Sequence, residues 1–182
     1  MHEMKRTANC GQLSAKDAGK TVILNGWVHR KRDHGEIAFI NLRDRYGLTQ
    51  VVIEAEAPAE LKVLAGELRN EFCIAVEGQV RARPQDMINT DMPTGDMELV
   101  ASRLLILNRC EVLPFQIDAE ADAKEELRLK YRYLDLRRSG MQKRIALRSA
   151  VIQATRQYMT GEGFLEIETP TFIKSTDRKS VV

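Results

Sequence analysis

Long apolar runs are missing from this 182-residue chain. None approaches the ~20 residues that a bilayer crossing needs, so no membrane-spanning helix is expected. The first residues, Met-His-Glu-Met-Lys-Arg, lead into no apolar stretch, so no signal peptide is expected either. Met1 and Met4 are both possible starts. Cysteine is scarce and odd in number: Cys10, Cys73 and Cys110 stand alone. With no CxxC and no His/Cys cluster, a zinc site and a disulfide framework are both disfavoured, and reduced thiols in the cytoplasm fit best. Aromatics are only 5% of the residues, and the net charge is +2, so bulk charge announces no nucleic-acid partner. A Gly-rich phosphate loop, a Ser/His/Asp order and metal-ligand spacing are all absent, so neither catalytic residues nor a metal site are expected.

The distribution of charge says more than its sum. The run His29-Arg30-Lys31-Arg32 leads through Asp33-His34-Gly35, a turn pattern, into a stretch presenting Phe39. Cations beside an aromatic on a sheet face suit single-stranded nucleic acid, since the cations hold phosphates and the ring stacks a base. Residues 128–148 hold eight Lys or Arg against one acid, Asp135, whereas 111–126 are acidic. Such blocks are also what solvated helix faces look like.

Alternation over 21–32 sets Val22, Leu24, Gly26 and Val28 on one side and Ile23, Asn25, Trp27 and His29 on the other, a strand curving near Gly26. Further strands are predicted over 36–43 (Ile37, Phe39 and Asn41 on one face), 48–54, 72–81 and 97–107. A helix is predicted over 59–69, opened by Pro58, with Leu61, Leu64 and Leu68 at helical spacing. A polar loop fills 84–95. Five strands with one helix between the third and fourth match the OB-fold, an all-β Greek-key barrel that binds ligands on strands two and three and the loops after strands one and four. Phe39, Gln50, the 29–34 run and the 81–89 stretch fall there. Phe39 reads equally as a core aromatic with the arginines decorating a rim.

Domains are expected at 1–110 (the barrel), 111–140 (a helical hinge or linker) and 141–182 (the start of an α+β domain). Leu113-Pro114-Phe115 marks the break. Residues 123–138 read as a helix or helix-turn. Residues 141–160 read as a helix with Leu147, Val151, Ala154 and Tyr158 on one stripe, ended by Gly161 and Gly163, with a short strand over 164–167 stopping near Pro170. Glu166 and Glu168 would share a face of that strand, as solvent-facing residues.

Several segments together resemble the N-terminal part of a bacterial aspartyl-tRNA synthetase, a class II synthetase of the Asp/Asn/Lys subgroup. They are Cys10-Gly11-Gln12-Leu13, the Gly26-Trp27 to Gly35 run, Leu68-Arg69-Asn70-Glu71-Phe72-Cys73-Ile74, the stretch Glu126-Leu127-Arg128-Leu129-Lys130-Tyr131-Arg132-Tyr133-Leu134-Asp135-Leu136-Arg137-Arg138, and Gly163-Phe164-Leu165-Glu166-Ile167-Glu168-Thr169-Pro170. The resemblance runs over residues 6–176. It implies that Phe39 stacks on the central anticodon base and that Gln50 reads the edge of that uridine. It implies that Arg30, Arg32, Arg69, Arg81 and Arg83 surround the anticodon and that Asn89 and Glu98 touch its bases. A His at position 34, where relatives can carry Leu, accompanies relaxed discrimination between tRNA-Asp and tRNA-Asn. Met87 stands where an Asn is common, which puts one base contact in doubt. Gly163, Phe164 and Pro170 fall in motif 1, which builds a homodimer interface in this family.

The implied parent reaction joins aspartate to tRNA-Asp, with tRNA-Asn as an open second substrate, using ATP and magnesium. That chemistry draws on the arginines and carboxylates of motifs 2 and 3. Neither motif is in this sequence, and after Thr176 the chain reads Asp177-Arg178-Lys179-Ser180-Val181-Val182 where the family reads Pro-Glu-Gly-Ala-Arg-Asp. The expectation is therefore a truncated catalytic domain, with no catalytic residue and no cofactor in this chain, inactive alone in aminoacylation. A stand-alone nucleic-acid-binding barrel and an inert fragment are the alternatives.

Overall fold

The computed structural model describes residues 4–117 and 123–170, in two compact units that divide after Val112. The tail expected to diverge after Thr176 and part of the acidic linker lie outside the described residues.

The first unit is a closed barrel of five strands: β1 (Thr21–His34), β2 (Ile37–Arg43), β3 (Leu48–Ile53), β4 (Cys73–Ala82) and β5 (Met97–Asn108). The order around it is β1-β2-β3-β5-β4. Every neighbouring pair is antiparallel except β3 with β5, a parallel seam of two registered pairs, Val51–Leu99 and Val52–Val100. Helix α1 (Ala59–Glu67) lies between β3 and β4, burying Leu61 and Ala65, with Leu68 buried just beyond its end. The expected OB-fold barrel is therefore the observed one. Its interior holds Leu24, Val28, Ile40, Leu42, Val51, Ile74, Val76, Val80, Met97 and Leu99.

The long first strand serves two partners. Residues 21–27 pair with β4 and residues 27–34 with β2, so Trp27 is registered against both Cys73 and Arg43. A β-carbon at Gly26 would sit 2.5 Å from the Arg43 carbonyl oxygen, so only glycine lets β1 turn between its partners here. The predicted turn at 33–35 is corrected: β1 continues to His34, and the turn is only Gly35-Glu36, with Gly35 at φ +62°. Gly at the first position of a two-residue hairpin turn suits the twist of the flanking strands.

A bulge at His29 changes which way the following residues face. Val28 pairs with Leu42, but Arg30 pairs with Asn41 and Arg32 with Phe39. Up to Val28 the even-numbered residues point inward. Beyond the bulge Arg30 and Arg32 point outward and Lys31 is drawn in, its side chain 15% exposed. Simple alternation would have aimed Arg30 and Arg32 at the core. Re-aiming side chains next to a functional surface is a recurrent use of bulges.

An N-terminal strap closes one end of the barrel. The backbone N–H of Cys10 donates to Asp44 Oδ2 at 2.9 Å, and the Thr49 hydroxyl donates to the Cys10 carbonyl. Asp44 Oδ1 also accepts the N–H of Tyr46 and of Gly47, an Asx turn that reverses the chain between β2 and β3. At this end Glu71 adopts φ +67°, a left-handed conformation costly for a residue with a β-carbon. Two contacts hold it there: its N–H donates to the Val28 carbonyl at 2.7 Å, and its carboxylate takes Arg43 Nη2 on both oxygens at 2.8 Å.

The second unit contains α2 (Glu125–Lys130), α3 (Arg132–Asp135) and α4 (Ser139–Gly161). Phe115, Ile117 and Leu134 form its small core. Asp135 is fully buried, with Arg132 at 2.5 Å, Arg138 at 3.6 Å and Arg128 at 3.8 Å around its carboxylate. The acid lost in a basic sequence block is thus the centre of that block. Helix α4 ends in a Schellman arrangement: Gly163, at φ +86°, donates to Thr160 and Phe164 donates to Met159.

The strand expected over 164–167 does not form, and 164–170 carry no regular structure. A strand needs a neighbour to complete its hydrogen bonds, and none of the described residues supplies one. Glu166 instead meets Arg156 of α4, with Nε and Nη2 both 2.8–2.9 Å from its carboxylate, and the hydrogen-bonded guanidinium holds its pKa below the ordinary carboxylate range. The predicted stripe Leu147, Val151 and Tyr158 is on α4 and exposed.

Candidate nucleic-acid interface

The outer face of β1, β2, β3 and β5, with the end of β4 and the start of the β4–β5 loop, gathers most of the residues singled out from sequence. Two rows cross it. Arg30, Asn41 and Gln50 are registered in one row, and Arg32, Phe39 and Val52 in the next. Directly opposed residues in a sheet share a face, so Phe39 is flanked by an exposed guanidinium and by the Gln50 amide one row away. His34 meets the Phe39 ring edge-on, with centroids 5.8 Å apart and planes at 79°. Phe39 is half-buried, so one side is supported by the barrel while ring surface stays accessible. Phe39 is therefore on the outer face and is no part of the barrel interior.

Glu98 is the electrostatic hub of the face. Its Oε1 accepts Arg81 Nε at 3.0 Å and Nη2 at 2.7 Å, and its Oε2 lies 3.6 Å from Arg83 Nε and 3.5 Å from Gln50 Nε2. Arg81 Nη1 also donates to Glu54 at 2.6 Å, so its proton is held more tightly than usual, chiefly by Glu98. Arg83 goes the other way. Its side chain is only 5% exposed, and burial makes the guanidinium less basic despite Glu98 and Asp96 nearby. Its Nε and Nη2 are buried with no hydrogen-bond acceptor. Unmet buried donors are costly, so a ligand acceptor reaching them would be favoured.

Asn89 shapes the β4–β5 loop beside this face. Its N–H donates to the Gly95 carbonyl at 3.1 Å, its carbonyl accepts from Met92, and its Oδ1 accepts the Asp91 N–H at 3.0 Å. Met87 is exposed on the same loop. Arg69 stands apart. It follows α1 at the barrel end marked by Arg43 and Glu71, and Arg43 is four residues from Phe39 along β2, about 13 Å at strand rise. Gly163, Phe164 and Pro170 belong to the second unit, where Gly163 caps α4 and Phe164 and Pro170 are exposed.

One participant went unread in the sequence: Glu54, just past β3, is the second anchor of Arg81. Asn41, placed on the Phe39 face by alternation, bridges Arg30 and Gln50 through strand register. Among the described residues no group of three or more His, Cys, Asp or Glu could hold a metal ion, and no helix is long and apolar enough to cross a membrane.

Fold and face together define a class. Residues 22–107 match the family described as OB-fold nucleic acid binding domain, and residues 124–181 match tRNA synthetases class II (D, K and N). The chain is a homologue of aspartate–tRNA(Asp/Asn) ligases and aligns with their N-terminal portion. An aspartate–tRNA(Asp/Asn) ligase of Treponema denticola is 61% identical over 97% of this chain, which covers 30% of that protein. The chain thus spans about 30% of the length of the curated relatives it matches. A solved structure of an aspartyl-tRNA synthetase from Leishmania major superposes with a TM-score of 0.82 at 26% identity, covering 96% of this chain and 37% of that one. An OBody bound to hen egg-white lysozyme superposes with a TM-score of 0.54 at 26% identity, covering 60% of this chain and 96% of that one.

Proposed function

We propose that the barrel reads a tRNA anticodon and that the chain supplies the tRNA-recognition part of an aspartate–tRNA ligase. One observation carries this reading: Phe39, flanked by Arg32 and His34, shares an outer barrel face with the Gln50–Glu98–Arg81 network. A ring offers stacking to any base, worth roughly 1–3 kcal/mol, and leaves sequence choice to polar neighbours. Gln50 offers donor and acceptor together, and its tether to Glu98 limits which of the two faces outward. Arg30 and Arg32, turned outward by the bulge, are placed for phosphates. Asn89 holds the loop from which further base contacts would come. Arg69, set apart at the other barrel end, is placed for backbone and not for the central base.

The expected ligand is tRNA-Asp. His34 against Phe39, and relatives whose names carry both Asp and Asn, support tRNA-Asn as a second ligand. Adenylate formation from aspartate and ATP with magnesium, and transfer to the tRNA, belong to this reading for the whole ligase. The 182-residue chain alone is expected to perform neither. The exposed stripe on α4 and the motif 1 residues Gly163, Phe164 and Pro170 support a homodimer, acting in the cytoplasm.

The test is a titration with fluorescent anticodon stem-loops at one stated salt concentration, since phosphate contacts make affinity salt-dependent. The aspartate anticodon, the asparagine anticodon and a loop with its central uridine replaced are compared. Preference for the uridine, lost in Phe39→Ala and in Gln50→Ala, supports the reading. Equal binding to all three reduces the barrel to a general nucleic-acid binder.

A further inference from the structure

The bulge at His29 decides where Arg30 and Arg32 point, yet Val28-His29-Arg30 contains no glycine or proline to mark it. A one-residue slip moves every following side chain to the opposite face. Were the extra residue absorbed beyond Arg32 instead, Arg30 and Arg32 would fall in the inward phase of Leu24 and Val28. Contacts from elsewhere in the chain must hold the bulge where it is.

A closed ring of contacts surrounds it. Val28, just before the bulge, donates its N–H to the Phe72 carbonyl at 2.9 Å and accepts the Glu71 N–H at 2.7 Å. Arg43 is registered opposite Trp27 and reaches to both sides of the bulge. Its Nη1 lies 2.9 Å from His29 Nδ1, and its Nη2 lies 2.8 Å from each Glu71 carboxylate oxygen. A guanidinium only donates, so His29 Nδ1 accepts here and the ring hydrogen is on Nε2. Glu71 thus grips the bulge twice, by its own N–H on Val28 and through Arg43 on His29. The side chains of Arg43 and Glu71 are 19% and 9% exposed, so solvent screens the pair little. Glu71 meets both obligations at φ +67°. Backbone strain of this kind persists where the surroundings over-determine it, and it gathers at functional sites. Here the strained residue is joined to Arg30 and Arg32 through the bulge.

We propose that Arg43 and Glu71 are positioning residues for RNA binding. They pin the bulge at His29 and so hold Arg30 and Arg32 on the outer face. Both terminal nitrogens of Arg43 are engaged within the protein, so it takes no phosphate itself. The proposal rests on reading that face as the RNA site and extends the site to two residues that act on RNA only through others.

Arg43→Lys tests it in the full chain. Lysine keeps the cation but has one nitrogen, which cannot bridge His29 and Glu71. Glu71→Gly is the second variant. It removes the carboxylate and relieves the left-handed strain, so it is expected to fold. The aspartate anticodon stem-loop is titrated over a range of salt concentrations. Each variant is expected to bind about tenfold more weakly, with the salt slope reduced by about one to two phosphate contacts. In a chain already carrying Arg30→Ala and Arg32→Ala, the same changes are expected to cost less than about twofold further, because nothing is left to position. A purely structural role would leave the salt slope unchanged. Full affinity and slope in Arg43→Lys, or losses that simply add to those of Arg30→Ala and Arg32→Ala, overturn the proposal.

Amide hydrogen exchange without RNA separates this inference from the anticodon reading. Both variants are expected to exchange faster over residues 28–34 and 37–43, with residues 51–52 and 99–100 of the seam unchanged. Unchanged exchange over 28–34 overturns the proposal whatever the RNA does. If the unmutated chain binds no stem-loop, the anticodon reading falls, and exchange alone decides whether Arg43 and Glu71 pin the bulge.

Discussion

Gln50 on β3 and Glu98 on β5 meet across the parallel seam of the barrel, the amide Nε2 3.5 Å from the carboxylate Oε2. The same carboxylate holds Arg81 and faces the buried Arg83. One anion thus orients an amide and compensates two cations, so the polar half of the face depends on it.

Removing that anion has a stability cost that a surface ion pair would not show. Glu98→Ala leaves the Arg83 guanidinium, 5% exposed, without its nearest carboxylate. Stranding a buried charge costs about 3 kcal/mol, and the expected loss in urea unfolding is of that size. Glu54→Ala, which removes a contact of the half-exposed Arg81, is expected to cost about 1 kcal/mol or less. Equal losses in the two variants would refute the assignment of Glu98 as the hub.

Phe39→Ala separates binding from folding. The ring is on the outside of the barrel, so the variant is expected to keep its unfolding midpoint within the range of ordinary surface changes. Its affinity for the aspartate anticodon stem-loop is expected to fall by about 1–3 kcal/mol, the worth of one stacked base. The slope of log affinity against log salt should not change, because no phosphate contact is lost. Arg32→Ala is expected to do the opposite, lowering that slope by about one phosphate contact.

Two glycines in strands and one in a helix make a contrast. A β-carbon at Gly26 would lie 2.5 Å from the Arg43 carbonyl oxygen, and one at Gly78 would lie 2.3 Å from that of Val100. Both obstacles are backbone, so each Gly→Ala change is expected to cost about 1–3 kcal/mol through forced strand displacement. Gly66 in α1 has nothing within 4 Å of such an atom. Gly66→Ala is expected to raise stability by about 0.5 kcal/mol by removing chain freedom from the unfolded state. Thermal unfolding of the three variants checks the sign of each.

Cys10 is expected to resist alkylation while the chain is folded. Burial pushes its thiol well above the usual range, and the neighbouring Asp44 carboxylate adds to the effect. Only the thiolate reacts, so iodoacetamide at neutral pH should label half-buried Cys110 in the native chain and reach Cys10 only after denaturation. Peptide mass spectrometry reads the order directly. Native labelling of Cys10 at the rate of Cys110 would contradict the packing of the strap that carries Cys10 into the core.

The barrel was legible because its strands alternate cleanly: Val22, Leu24 and Val28 inward, Ile40 and Leu42 inward, Phe39 and Asn41 outward. Position alone put Phe39 and Gln50 on the ligand face. Three features were not legible, each for a reason of physics. The bulge at His29 inserts one residue, and no local propensity marks it, yet it decides where Arg30 and Arg32 point. The left-handed Glu71 is set by Arg43, a residue far away in sequence. Phe164 to Ile167 has the composition of a strand, but composition cannot provide the neighbouring strand. Asp135 fails differently: counted as a lone acid in a basic block, it is the buried carboxylate on which three arginines converge.

The seam between β3 and β5 has a kinetic consequence. Its two registered pairs join segments about fifty residues apart, with α1 and β4 between them. Closing so large a loop for so few contacts gives little return until the rest of the sheet is in place, so the seam is expected to form late in folding. Gln50 and Glu98 come together only when it forms. An RNA that bridged them would therefore bind the closed barrel and not its open precursor, and by mass action would shift the equilibrium toward the closed form.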